Sequence, residues 1–319
     1  MSSTSDSNFY EEVRAKIRAH KIKIKDNSIK VYVDNIKKLT LELFGSTKPN
    51  VKFFRDHESV LEYLDNIKNL ASKKTMATAI VVLLKSYQFD KDTVKIYSDF
   101  MLTLSKTQNS EYMKNEKSNK EEENWITQDE IKKVIKNLKK KTKDNTLTER
   151  QKVDALQQLL VISLYTDLPP MRNDHSFVRV LSDEPKDEPD NYINLKTKEF
   201  ILQQYKTSKF YGKKNIPLPD TLFKLIKEYE ELKKEIYGDK IDHNYLLINT
   251  TTLQPMNRNC LTKYLNKIFA PKKVSSTILR KSYLSEKYPI THSMEEMERD
   301  SSAMGHSILV ARKIYTKIL

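Results

Sequence analysis

The stretch Met304-Gly305-His306-Ser307-Ile308-Leu309-Val310-Ala311-Arg312-Lys313-Ile314-Tyr315-Thr316-Lys317-Ile318-Leu319 decides how the chain is read. It sets a Gly-His pair nine positions before a tyrosine. Nine residues of ideal helix end half a turn past two full turns, so the two side chains lie on different faces. If His306 and Tyr315 serve one site, the chain must bend between Ser307 and Ile314, with His306 near the start of the segment.

Further upstream, other polar residues sit where packing alone does not ask for them. Arg172 follows the break Pro169-Pro170 at the end of an apolar helix. Lys206 and Lys209 lie in the turn Tyr205-Lys206-Thr207-Ser208-Lys209 after an expected strand. Arg280 sits inside Ile278-Leu279-Arg280-Lys281-Ser282-Tyr283-Leu284. Each has an ordinary reading: surface cation, turn residue, helix cap, core aromatic. Together they suit a phosphodiester without a metal. Arginine grips non-bridging oxygens in bidentate fashion, a positioned lysine protonates a departing alkoxide, and a tyrosine can attack phosphorus and hold it covalently.

The bulk numbers agree with that chemistry. The 319 residues suit two domains, and 57 Lys and Arg against 43 Asp and Glu leave a net charge of +14. Such an excess favours a polyanionic partner, most readily nucleic acid, where each neutralised phosphate releases counterions. A Lys- and Asn-rich composition also follows from an AT-rich genome. Four glycines are too few for Gly-rich phosphate loops, so a kinase or a dinucleotide-dependent enzyme is not expected. The single Cys260 forms no internal disulfide and no multi-cysteine zinc site, which points to an intracellular, reducing compartment. Met1-Ser2-Ser3-Thr4-Ser5-Asp6-Ser7 has no apolar core of a signal peptide, and no apolar run nears membrane-spanning length.

Taken in order, residues 1–27 are polar and basic, with one short helical pattern at Phe9, Val13 and Ile17; Arg14, Lys16, Arg18 and Lys21 read as an arm for DNA or as disorder. Residues 28–105 carry four amphipathic helices, with Lys68, Lys73, Lys74 and Lys85 near helix ends as phosphate grips or a solvated face. Residues 106–124 are almost wholly polar and read as a linker. Residues 125–319 open with Trp125 and the capping box Thr127-Gln128-Asp129-Glu130. Four short strands follow over 176–181, 192–195, 200–205 and 215–218, set as a small antiparallel sheet among helices, the last of them over 308–318. His292 reads as a surface residue before the final helices, and Cys260 as buried and inert. The expected fold is mainly α: a helical domain followed by an α+β domain.

The order Arg172, a hairpin lysine, Leu279-Arg280-Lys281-Ser282-Tyr283, then Met304-Gly305-His306-Ser307 and Tyr315 resembles the tyrosine recombinase, or phage-integrase-like, family. The resemblance spans roughly 125–319, with Asn215-Ile216-Pro217-Leu218-Pro219 similar to the strand that follows the family's catalytic lysine and Thr166-Asp167-Leu168-Pro169-Pro170-Met171-Arg172 in the place of its first arginine box. Residues 28–105 look like its DNA-clamping core-binding domain. Thr277 stands where the family usually has histidine or lysine, and a hydroxyl offers a phosphate hydrogen bonding only. Counting back from Pro217 favours Lys209 in a short hairpin; the Lys206-Thr207 pair favours Lys206 in a longer one, and Lys206 is the expectation. His175, beside Arg172, is a candidate supporting residue. Only Thr316 to Leu319 follow Tyr315, where many relatives carry a further helix.

The resemblance implies that Arg172, Arg280 and His306 hold a scissile phosphate in double-stranded DNA. Tyr315 attacks it to give a 3′-phosphotyrosyl link, and Lys206 protonates the leaving 5′-hydroxyl. No cofactor or metal is implied. A tetramer on DNA and an origin in a virus or mobile element are the corresponding expectations, with the host nucleus, a nucleoid or a virus factory as settings. The alternatives are a type IB topoisomerase-like enzyme with the same residue set, or a catalytically decayed DNA-binding protein.

Overall fold

The computed structural model describes residues 3–45, 50–185, 190–288 and 294–317. His292 falls outside them, as does part of the Pro-rich loop before Asp190. The chain divides into two compact units, Met1–Lys114 and Asn115–Leu319.

The first unit is helical: α1 (Ser3–His20), α2 (Asp26–Phe44), α3 (His57–Asp65), α4 (Leu70–Ser86) and α5 (Lys91–Met113). Helix α4 is its axis. Its run Met76-Ala77-Thr78-Ala79-Ile80-Val81-Val82-Leu83-Leu84 is buried almost all round, as a helix apolar on every face must be. Helix α2 lays Ile29, Val33, Ile36 and Leu39 against it. The expectation of disorder before residue 28 is corrected here for residues 3–27. Tyr10, Val13 and Ile17 bury in the same core, and three apolar residues at helical spacing suffice once α4 offers a surface to cover. Arg14 and Arg18 pair with Glu11 and Asp26.

The expected linker is also more ordered than its composition suggests. Residues 106–113 complete α5, and Asn119–Asn124 form α6, capped by Ser118 and Glu121. Polar composition does not distinguish a solvated helix from coil. In the second unit follow α7 (Gln128–Lys141), α8 (Glu149–Thr166), β1 (Arg179–Leu181), β2 (Tyr192–Asn194), β3 (Glu199–Leu202), α9 (Ser208–Tyr211), β4 (Lys214–Pro217), α10 (Asp220–Tyr237), α11 (Arg258–Ile268), α12 (Ser276–Lys287), α13 (Met294–Ala303) and α14 (Ile308–Val310). The Thr127 box is reciprocal: the Thr127 N–H donates to Glu130 Oε2 at 2.9 Å and the Glu130 N–H to Thr127 Oγ1 at 3.2 Å. Such a cap is worth about 1 kcal/mol.

The sheet order is β1-β2-β3-β4. It is mixed rather than antiparallel, because β1 and β2 run parallel while β2–β3 and β3–β4 are antiparallel. The ten residues between Leu181 and Tyr192 let the chain return to its starting end instead of reversing in a tight hairpin. Strand β1 starts late because Asn173–His175 form a 3₁₀ turn and Phe177 has φ +54°.

Helix α8 is the core element of this unit, buried from Val153 to Tyr165 except at Asp154. Its buried Gln157 is fully used: Nε2 donates to Ile248 O at 3.0 Å, while Oε1 accepts from the Ile248 N–H at 2.8 Å and from Tyr229 Oη at 2.6 Å. That one amide ties α8 to α10 and to the apolar segment 245–248, and it delivers the end of α8, with Arg172 beyond it, to a fixed place. Leu284, Tyr288, Met297, Met304, Ala311 and Tyr315 form a separate small core under α12, α13 and α14. Among the described residues no helix is long and apolar enough to cross a membrane.

Candidate active site

The bend demanded between His306 and Tyr315 has a specific form. The last helix ends at Val310, short of the expected 318, and residues 311–315 wind as a π turn closed by the Thr316 N–H on Ala311 O at 2.9 Å. A wider i→i+5 turn advances less per residue around the axis than an α turn, so it shifts the face on which Tyr315 emerges. The result is a stack: the His306 and Tyr315 rings lie 4.9 Å apart at 23°.

Arg280 completes the group. It comes from the buried face of α12 and is 1% exposed. Its Nη1 donates to Tyr315 Oη at 2.6 Å, its Nη2 to Met304 O at 3.5 Å, and its guanidinium carbon lies 4.1 Å from the Tyr315 ring centroid. Burial pulls its pKa down to about 10, with the neighbouring Arg172 charge adding to the fall. It remains a cation at neutral pH. Its Nε and His306 Nε2 are both buried without a hydrogen-bond partner. Buried polar atoms are ordinarily paired, so these two donors or acceptors are available to a ligand's polar groups.

His306 is held by Nδ1, 3.2 Å from Ser307 O. With a carbonyl as partner, Nδ1 carries the proton in the neutral ring, leaving the Nε2 lone pair toward the site. Burial, followed by the charge of Arg280, pulls His306 down to about 4, and Arg172 and Lys214 act in the same direction. The imidazole is therefore neutral at pH 7. A bound anion would reverse that balance and favour the imidazolium, with Nε2 then a donor.

Arg172 leaves the Pro169-Pro170 break half-buried, close enough for its charge to act on Arg280, His306 and Asp174. Tyr165 Oη donates to its carbonyl at 3.2 Å. The structure thus gathers Arg172, Arg280, His306 and Tyr315. Of the other four candidates, three are exposed and one lies in the core. Lys206 and Lys209 are exposed, Lys209 on the short α9. Thr277 is exposed on the first turn of α12. His175 is a core residue between Tyr165, at 4.9 Å edge-on, and Phe200, stacked at 5.6 Å; burial pulls it down to about 3.

Three residues escaped the sequence reading. Asp174, two residues after Arg172, is buried, and Arg258 reaches it at 3.4 Å. Burial pushes its carboxyl up, against the pull of Arg258, Arg172 and Arg280. An acid beside an arginine after a buried helix was the available signal. Ser285 is buried on α12; its Oγ accepts from the Lys317 N–H at 2.7 Å and donates to Tyr315 O at 3.4 Å, pinning the backbone after the tyrosine. Lys214, on β4, donates from Nζ to Ser302 O and to Ala303 O just before Gly305. Nothing in an alternating edge strand marked it out. In the first unit, Lys73 bonds Asp65 and Lys74 bonds Gln108, so two of the four lysines assigned to phosphate or solvent are engaged internally.

No protein-family model matches the sequence, and no curated protein matches it. Among solved structures, the chain is similar to XerA recombinase, at 12% identity and TM-score 0.42 over 97% of this chain and 94% of that one. It is also similar to the Tn1549 transposon integrase in complex with transposon right end DNA, at 15% identity and TM-score 0.45 over 97% of this chain and 95% of that one.

Proposed function

We propose that this protein is a site-specific DNA recombinase or integrase of the tyrosine recombinase type, serving a virus or mobile element and acting as a tetramer on double-stranded DNA. The observation that carries the reading is the Tyr315 hydroxyl held 2.6 Å from a buried arginine whose Nε, with His306 Nε2, lacks a partner. A nucleophile and an unfilled oxyanion seat share one guanidinium.

The steps balance as follows. Arg172 and Arg280 neutralise the non-bridging oxygens of a phosphodiester, and His306 gains a proton and donates from Nε2 as negative charge gathers. The Tyr315 oxygen attacks phosphorus as its proton passes to His306, which is the proton His306 gains; the bond from phosphorus to the 5′-oxygen breaks, and Lys206 protonates that oxygen. A 5′-hydroxyl then reverses the step. The phosphotyrosyl link conserves the energy of the phosphodiester, so rejoining draws on no external energy source. The net charge of +14 suits the polyanion, as do the lysines on and just after α7, where Lys132, Lys136, Lys139, Lys140 and Lys143 line an open cavity of about 440 Å³.

A nicked suicide duplex, in which the segment beyond the cut diffuses away, traps the covalent species. The expected result is a protein–DNA band that resists denaturation and disappears in Tyr315→Phe. DNA binding with no such band across candidate sites would leave a decayed binding protein. Relaxation of supercoiled plasmid by monomer, without joining of defined sites, would make it a topoisomerase.

A further inference from the structure

We infer that Lys214 is a positioning residue for the reaction: with Thr207 it clasps the β3–β4 hairpin to the Gly305-His306 turn, so that the hairpin and the imidazole are placed together. The inference rests on the proposed strand-cutting chemistry only for its effect on rate.

The clasp has two fastenings. Lys214 Nζ donates to Ser302 O and, at 3.4 Å, to Ala303 O. These carbonyls belong to the last turn of α13, the negative end of the helix dipole, where Ser302 O also accepts from the Gly305 N–H at 3.0 Å. Seven residues before Lys214, Thr207 Oγ1 donates to Gly305 O at 2.7 Å. The approach is close enough that a Cβ on Gly305 would stand 3.1 Å from Thr207 Oγ1 and 3.3 Å from the Tyr205 ring. The ammonium of Lys214 lies 5.6 Å from the centroid of Tyr205 and 5.3 Å from that of Tyr211, a two-sided cation–π seat. Lys206, the expected proton donor, precedes Thr207 directly, so the segment that carries it is anchored at one end to the turn that carries His306. Burial pulls the Lys214 ammonium below its ordinary range, and its charge, with those of Arg280 and Arg172, bears on His306.

Two measurements on the full chain test this. The first follows the His306 imidazole by NMR titration without DNA. Lys214→Met removes a cation beside the ring and loosens its turn, so the His306 pKa rises, whereas Lys214→Arg keeps it low; an unchanged His306 in Lys214→Met overturns the clasp. The second compares cleavage of a duplex bearing the natural 5′-oxygen with one bearing a bridging 5′-sulfur, whose thiolate leaves without a proton. Lys214→Met loses roughly a hundredfold on both substrates, as misplacement by about an ångström does, and Lys214→Arg recovers most of it, while a Lys206→Ala defect is rescued by sulfur. Rescue of Lys214→Met by sulfur would make Lys214 the proton donor and overturn a positioning role, as would full activity of Lys214→Met. The titration needs no turnover, so absence of a covalent complex in the unaltered chain would count against the proposed chemistry and leave the clasp to be judged by NMR.

Discussion

Tyr315 rests its ring over the Arg280 guanidinium at 4.1 Å while its hydroxyl accepts from Arg280 Nη1 at 2.6 Å. The Tyr315 hydroxyl is therefore a partner of the same guanidinium that a phosphate would bind. Arg280 Nη2 makes the longer contact, 3.5 Å to Met304 O, and its Nε has no hydrogen-bond partner among the described residues. Competition between phenol and phosphate for one guanidinium is the physical basis of the first two predictions.

Arg280 is kept at a cost to stability. A guanidinium that is 1% exposed has lost its water, and one of its donors has no replacement. Removing such a charge for an apolar side chain of similar length is often neutral or stabilising by about 1–4 kcal/mol. Arg280→Met is expected to melt no lower than the unaltered protein and to lose any stabilisation by inorganic phosphate. A melt that falls by several degrees without regained phosphate response would show that Arg280 is structural.

Tyr315→Phe acts on the other partner. It deletes one hydrogen bond to a charged group, worth about 1.5–3 kcal/mol, and frees Nη1. Phosphate or a short duplex should then bind more tightly than to the unaltered chain, although covalent capture is lost. Fluorescence anisotropy of a labelled duplex measures this, and weaker binding by Tyr315→Phe would contradict competition.

How much of this was legible beforehand follows from where the information lies. Helices α4 and α8 are long and apolar, and their periodicity marks them at once. Arg280 in an apolar helix and His306 after a glycine stood out because packing did not require them. The parallel pairing of β1 with β2 could not be read, because strand direction depends on the path of a loop and not on alternation. The π turn at 311–315 has no residue signature: Ala311-Arg312-Lys313-Ile314-Tyr315 reads as ordinary helix. Lys214 and Ser285 act on backbone carbonyls and amides close by only in the fold, so their spacing in sequence carries no sign of it.

Gly305 is the position where backbone freedom and close approach coincide. Its φ is +74°, and the nearest neighbour of a built Cβ is Thr207 Oγ1 at 3.1 Å. Gly305→Ala is expected to cost about 1–3 kcal/mol through the left-handed backbone alone, with more from the displaced Thr207 bond. In a double-mutant cycle with Thr207→Ala, the second change should recover the contact component and leave the backbone component. Strictly additive losses by urea unfolding would mean that the two residues do not press on each other.

Two buried histidines set the acid limb of stability. His306 is pulled down to about 4 and His175 to about 3, against an ordinary 6.5. As pH falls below 6.5 the unfolded chain takes up protons that the folded chain refuses, so stability drops from there until each folded value is passed. The fall is of order 3 kcal/mol per histidine. His175→Phe, filling the slot between Tyr165 and Phe200, should flatten the slope between pH 6.5 and 3 without touching the site. Unfolding by urea at pH 7.5, 6.0 and 4.5 gives the comparison, and an equal slope in the variant would mean that His175 titrates normally.

Beyond Tyr315, Ser285 Oγ accepts from the Lys317 N–H at 2.7 Å. Close by, Lys281 on α12 pairs with Glu121 on α6. Burial pushes the Glu121 carboxyl up, but the bond from Lys281, the Ser118 backbone N–H and the charges of Lys281 and Lys317 leave it below its ordinary value. Lys317, pulled down by burial and by Lys281, depends on Glu121 as its acidic neighbour. Ser285→Ala removes the acceptor for Lys317 N–H, and a buried amide left unpaired costs about 1–3 kcal/mol. The segment 315–317 recovers that cost by leaving its seat. Ser285→Ala should therefore raise hydrogen exchange over 315–317 and uncover the Arg280 cation, with global stability lowered by less than about 1 kcal/mol, since local opening replaces unfolding. Glu121→Gln should act in the same direction, because it sets two lysines against each other without their shared carboxylate. Unchanged exchange at 315–317 in both variants would mean that Ser285 and Glu121 do not hold Tyr315 in place.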